Sequence, residues 1–327
     1  MLLASSPHIV SKTTVRPLMA TVLIALTPVT LFGCAIFGVP AILNVLVSVL
    51  SAVCAETAFR AATKQPLRWK DLSAVVTGLL LALIIPPSTP LWMTSLGSIF
   101  AIIVAKEFFG GLGANIFNPA LVGRAFLIMS FPAALTTWHQ PVGLGTALSD
   151  TVTTATPLNL MRQGTSLAQI GTNIGVGSDY IALIKQFFLG FRGGSIGETS
   201  ILLIIAGAVF LLIVRTIDWR IPVALLSTTM LMSLLLGMDP LVGILTGGVF
   251  FGAVFMATDY ASSPLTPFGQ ILFGCGAGII TVLIRKWGSF PEGVTYSILV
   301  MNAVTPFLNR FLPRKYGYVP SKKQKNH

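Results

Sequence analysis

Apolar runs of membrane-spanning length recur from one end of the chain to the other, and this limits the fold more than any other feature. Ten stand out, roughly 18–38, 40–59, 73–88, 91–108, 116–135, 199–215, 219–237, 240–257, 267–284 and 294–312. Only 9% of the 327 residues are charged, against about 25% in soluble domains. So few charges cannot cover a globule in water, and lipid must solvate much of the surface. The expected fold class is all-α, a polytopic membrane protein of about ten transmembrane helices. The run 73–88 is the weakest full crossing, because Pro86-Pro87 stops a helix.

The basic residues set the orientation. With the N-terminus in the cytoplasm, fifteen of the 21 lysines and arginines fall on that side. Arg162, Lys185, Arg192, Arg285 and Lys286 fall opposite, and Arg124 lies inside a span. This bias puts both termini inside. The five tryptophans sit near span ends, as interfacial anchors do. The net charge of +11 is spread between spans rather than on one face, which argues against nucleic acid. Lys12 and Arg16 precede the first run like the start of a signal peptide, but no cleavage region follows, so a retained helix is expected. The chain divides into a first membrane half (1–135), a non-cytoplasmic loop (136–198), a second half (199–312) and a basic cytoplasmic tail (313–327).

The halves resemble each other. Pro86-Pro87-Ser88-Thr89-Pro90 is echoed by Ser263-Pro264-Leu265-Thr266-Pro267. Lys106 before the glycines of 109–115 is echoed by Lys286 before Gly288–Gly293. Five spans followed by five give opposite orientations, the inverted-repeat plan of many transporters, in which broken helices meet near the midplane. The alternative is that Gly and Pro simply punctuate both halves.

Few polar groups interrupt the spans. Glu56 and Arg60, four residues apart, read first as a pair snorkelling at the interface. Arg124 follows Asn118-Pro119 and must face protein, a cofactor or water. A phosphate, a flavin or a quinone would suit it, as would the carbonyls of a broken helix. The glycines of 109–115 lack the setting of a nucleotide loop and suit close packing or a re-entrant break. Cys34, Cys54 and Cys275 form no CxxC pair, and His8, His139 and His327 have no metal spacing. No catalytic residue and no metal ligand is assigned.

The loop between the fifth and sixth spans runs to about sixty residues, a length that usually carries function or is disordered. Tyr180–Phe188 reads as a short helix, either at the interface or packed on the core. Upstream lies Asp150-Thr151-Val152-Thr153-Thr154-Ala155-Thr156-Pro157, an exposed β-inclined strip. Pro157 biases Thr156 toward an extended backbone. An extended threonine among small residues can enter another enzyme's active site, where its hydroxyl can be esterified. A plain threonine-rich turn is the simpler reading on physical grounds.

The order Asp150, Thr153, Ala155, Thr156 resembles the recognition motif of the bacterial flavin transferase, with Thr154 where the motif often has Gly. Further strings extend the likeness over nearly the whole chain. They are Ser6-Pro7-His8, 71–79, 110–120, 196–200, 255–259 and 291–293. Together they resemble the D subunit of the Rnf (Rsx) electron-transport complex and its relative, the B subunit of the sodium-pumping NADH:quinone reductase. The resemblance implies FMN joined by a phosphoester to Thr156, with Asp150, Thr153 and Ala155 as the attachment motif. It also leaves room for a second, non-covalent flavin, such as riboflavin, which no motif places. It implies a bacterial inner-membrane subunit, not catalytic alone, with its flavin loop external. Partners would be the A, B, C, E and G types of Rnf subunit, with the flavin transferase acting during maturation. The function implied is electron relay with coupled Na⁺ or H⁺ transport, with Arg124, Asn118 and Glu56 as loose candidates in ion movement.

Two other readings remain. The inverted-repeat plan suits a urea- or ammonium-type channel with no redox cofactor. A purely structural membrane subunit is the third.

Overall fold

The computed structural model describes residues 14–139, 153–154, 157–162, 169, 171–172, 179–190, 193–288 and 292–310. In the first half, α1 (Val15–Phe37), α2 (Val39–Ala62), α3 (Ser73–Ile84), α4 (Leu91–Ile103) and α5 (Pro119–Ser130) follow one another. A short α6 (Pro132–Thr136) leads to the loop. The loop holds α7 (Pro157–Arg162) and α8 (Tyr180–Leu189). The second half has α9 (Ile201–Ile213), α10 (Arg220–Leu235), α11 (Pro240–Leu245), α12 (Val249–Phe251), α13 (Pro267–Trp287) and α14 (Val294–Leu308). A π-helical turn, Gly252–Met256, extends α12.

Every expected span contains helix, and 73–88, the weakest expected crossing, is among those whose helix is short. Among the described residues, four helical stretches are long and apolar enough to cross: Val15–Phe37, Val39–Ala62, Leu91–Phe109 and Pro267–Trp287. The others are short or broken. At 1.5 Å per residue, the 12 residues of α3 reach about 18 Å, well under a bilayer core of ~30 Å. Almost all of α3 is buried, as expected of a helix apolar on every face. Its end is closed by the last residues of the loop: Gly197 N–H donates to Leu83 O at 2.7 Å and Ile196 N–H to Ile85 O at 3.4 Å.

The outer helices turn large apolar side chains outward, including Leu31 and Leu50 from the first half and Leu234 and Leu235 from the second. Such a surface needs lipid. Between helices, association relies on close backbones and polar contacts, because lipid is as apolar as leucine. A Cβ at Gly274 or Gly278 of α13 would lie 2.8 or 2.9 Å from the carbonyl oxygens of Ile221 and Leu225 on α10. Gly78 of α3 meets the Ser48 carbonyl of α2 in the same way, at 2.8 Å. Ser48 and Ser98 join α2 to α4 at 2.8 Å, and Thr281 and Ser297 join α13 to α14 at 2.8 Å. The neighbours recur: in each half the second helix packs on the third and fourth, and the fourth on the fifth.

Candidate functional site

The long loop is docked on the second half. Thr153–Thr154 forms a strand antiparallel to Trp138–His139, in the register Trp138↔Thr154 and His139↔Thr153. The β-inclined reading of the threonine strip holds at these two positions. Asp150, Ala155 and Thr156 lie outside the described residues, as does the expected extended backbone at Thr156. From Pro157 the chain is helical as α7. Leu160 and Met161 pack with Leu183 and Phe187 of α8 and with Val242 and Leu245 of α11. The core-packing reading of Tyr180–Phe188 holds on one face of the helix: Leu183 and Phe187 are buried, while Ile181 and Leu189 are exposed. Tyr180 Oη donates to Asp239 Oδ2 at 3.0 Å, and Asp239 Oδ1 accepts from Val242 N–H at 2.9 Å, so α8 is tied to the cap of α11.

Beneath this loop the eighth span breaks. Gly247 and Gly248 sit at φ +64° and +67°, a region that glycine enters without the strain of a side chain. The break leaves the last carbonyls of α11 without helical donors in a buried setting, where each needs one. Arg285 of α13 supplies them. Its guanidinium donates to Gly243 O, to Thr246 O at 2.8 Å and to Gly247 O at 3.3 Å. Arg285, counted from sequence among the cations of the non-cytoplasmic side, is only 5% exposed. The residue matched to Lys106 by the repeat also changes. Lys286 is exposed and donates to Leu236 O at 2.8 Å, while Arg285 is the buried cation. On the other side of the break, the Glu198 carboxylate lies against Gly248. Arg124 stands 3.7 Å from Glu198 and is hydrogen-bonded to Glu292. Its partners are thus two carboxylates rather than broken-helix carbonyls.

A second buried cluster lies at the C-terminal ends of α2 and α4. Glu56 and Arg60 do not form the snorkelling pair expected of them. Both are buried, and each takes its partner from the adjacent Lys106-Glu107. Lys106 Nζ lies 2.6 Å from Glu56 Oε1 and donates to Ser73 Oγ at 2.6 Å. Arg60 Nη2 lies 3.1 and 3.2 Å from the two oxygens of Glu107. Away from water each charge needs a full partner, and the opposite pair at 106–107 provides both. The glycine turn serves the same cluster. Gly111 has φ +91°, and a Cβ there would lie 2.5 Å from Arg60 Nη2. The close-packing reading of 109–115 is met at Gly111, while a Cβ at Gly113 would meet nothing within 4 Å.

Lys106 also lines a cavity of about 270 Å³ between α1, α3, the start of α5 and the segment after α12. Most of its wall is apolar; Ser73, Thr77, Asn115, Asn118 and Asp259 add polar points. Asn118 caps α5, its Oδ1 accepting from Ala120 N–H at 3.1 Å, while its Nδ2 donates to Met256 O at 3.3 Å. Burial raises the Asp259 carboxyl above the usual range, against the bonds it accepts from Ser262 and Ala261. Burial, with Asp259 and Asp71 nearby, pushes the Tyr260 phenol up to about 12. The cavity suits a flat, largely apolar ring with a few polar edge atoms, close to the small end of ligand sites at ~300 Å³. Its lining would accept the ring of a non-covalent flavin of the kind the resemblance implies.

Sequence reading singled out Thr156, Arg124, Asn118 and Glu56. It missed Glu107, Glu198 and Glu292 as partners, and Arg285 as a buried cation. The available signal was a charged residue beside an apolar run, which marks cost but not company.

Short inward half-helices, a helix break held by a buried cation, and paired charges among lipid-facing helices define a polytopic membrane protein of the transport type. The family is more specific. The model of the NQR2, RnfD, RnfE family matches residues 2–317, and the chain belongs to that family. It is 43% identical to the D subunit of the Na(+)-translocating ferredoxin:NAD(+) oxidoreductase complex of Acetobacterium woodii, over 98% of this chain and 96% of that one. It is 42% identical to the D subunit of the proton-translocating ferredoxin:NAD(+) oxidoreductase complex of Clostridium ljungdahlii, over 96% of each. A relative in Stutzerimonas stutzeri, the D subunit of an ion-translocating oxidoreductase complex, is 39% identical over 94% of this chain and 93% of that one. Na⁺ and H⁺ thus appear in the names of relatives at nearly equal identity.

Proposed function

We propose that this chain is a membrane subunit of an ion-translocating oxidoreductase complex, relaying electrons through FMN esterified to Thr156 and contributing to coupled Na⁺ or H⁺ transport. The observation that carries the reading is the attachment motif at Asp150, Thr153, Ala155 and Thr156, on a loop that α7 and α8 dock directly over the broken helix. FMN would supply one- and two-electron chemistry, while the protein holds and tunes it. Thr156 Oγ1 would hold the phosphate, and α7 would fix the attachment point relative to the membrane. A second, non-covalent flavin would occupy the cavity beside Lys106. Electron entry and exit would belong to other subunits of the complex, and flavin attachment to a flavin transferase. The charge bias supports a bacterial inner membrane setting with both termini inside and the loop outside.

In a denaturing gel the band should fluoresce under blue light and lose that fluorescence on Thr156→Ala. Intact mass should fall by one flavin phosphate. A band that still fluoresces in the variant removes the assignment. A wild-type chain carrying no added mass favours the channel reading. Unimpaired electron transfer by the variant complex favours the structural one.

A further inference from the structure

We infer that Lys106 is the cation that meets the polar edge of the cavity's ligand and sets its redox potential. This rests on the non-covalent flavin proposed above. Lys106 is 1% exposed yet lines the cavity. Its ammonium has three N–H donors. One is engaged by Glu56 and one by Ser73, each at 2.6 Å. Among the described residues the third has no partner. A buried ammonium left one donor short is costly, and the cavity is where that donor can be satisfied.

The surroundings narrow what it can meet. The charge of Lys106 is already balanced by Glu56, and the wall adds Asp259. A phosphate dianion would find no free cation here. A neutral ring with a carbonyl edge would gain a charge-assisted hydrogen bond that strengthens as negative charge builds on that edge. Lys106 would thus bind the reduced ring more tightly than the oxidised one and raise its potential, without releasing a proton. Glu56 and Ser73 act as positioning residues, fixing two of the three N–H directions.

The test uses the assembled complex. Lys106→Met alone strands Glu56, so the informative variant is Glu56→Gln/Lys106→Met, which removes both charges together. Lys106→Arg is the conservative control, and Thr77→Trp fills the cavity. Flavin released on denaturation is quantified, with in-gel fluorescence of the covalent flavin as the check on assembly. Potentials are read by redox titration. Thr77→Trp should release one flavin fewer per complex than wild type. The double variant should lose the same flavin, or keep it with at least a tenfold smaller preference for the reduced ring. That is a fall of about 59 mV for a one-electron couple. Lys106→Arg should retain the flavin. If Thr77→Trp releases as much as wild type, no flavin occupies the cavity, and the inference falls with that reading. If Thr77→Trp loses the flavin but the double variant keeps it at an unchanged potential, the reading stands and the role of Lys106 is overturned.

Discussion

The two halves place a buried cation at the same point, near the end of the fourth helix, and satisfy it differently. Lys106 follows α4 and is answered by a carboxylate, Glu56. Arg285 ends α13 and is answered by backbone carbonyls of a broken helix. The side chains fit these tasks. An ammonium is a compact point charge, and a guanidinium is a fork that can reach several oxygens at once. The third helices differ accordingly. α3 is intact and stops early, its end closed by main-chain N–H groups of 196–197. The third helix of the second half breaks midway, and a side chain holds the break open. One half is therefore built as a rigid wall, while the other contains a joint.

The largest effect should come from removing the joint's pin. Arg285→Leu strands three carbonyls and should cost about 3–5 kcal/mol, comparable to breaking a buried pair. The loss would show as a lower unfolding temperature in detergent. Arg285→Lys should recover only part of it, because an ammonium cannot fork.

The first half should behave differently, because its charges can be removed in pairs. Glu107→Gln alone leaves Arg60 buried without its carboxylate and should cost about 3 kcal/mol. Arg60→Met/Glu107→Gln should cost clearly less than the two single variants added. A strictly additive cycle would erase the contrast with Arg285, whose guanidinium is held by backbone carbonyls.

Gly248→Ala should cost about 1–2 kcal/mol from the left-handed backbone, and more from contact with Glu198. A melting temperature equal to wild type would show that the joint relaxes without cost.

The smallest effect belongs to the turn after α12. The raised pKa of Asp259 means that the folded protein disfavours its ionised form. Its contribution to stability is full below the ordinary aspartate range near ~4 and is lost as pH rises through the folded value. Asp259→Asn should therefore flatten the fall in stability above that range, measured by thermal unfolding across pH.

These contrasts show what a sequence can disclose. Local signals were legible: apolar runs became helices, and the threonine strip at 153–154 became a strand. The break at Thr246–Gly248 was not, because hydropathy runs unbroken through 240–257 and glycine pairs are common in spans. The charge partners were hidden by distance along the chain. Arg124 is separated from Glu292 by 168 residues, and no local pattern links them. Glu56 and Arg60 misled because helical spacing offered a nearby partner for each, while burial favoured partners with room to surround the charge. For the proposed attachment site, the motif named Thr156, and the structure shows α7, which follows it, packed on α8 and α11.

The buried charges carry one more consequence. Among the described residues, the cations Arg60, Lys106, Arg124 and Arg285 are matched in number by the carboxylates Glu56, Glu107, Glu198 and Glu292. A membrane voltage does work only on charge displaced through it, about 2.3 kcal/mol per elementary charge per 100 mV. Where these cations and carboxylates match in number, though not each cation with its own carboxylate, they feel little net pull when the membrane is energised. The fold can therefore stand in a strong electric field without being dragged by it, and the work of the field falls on whatever charge is carried through.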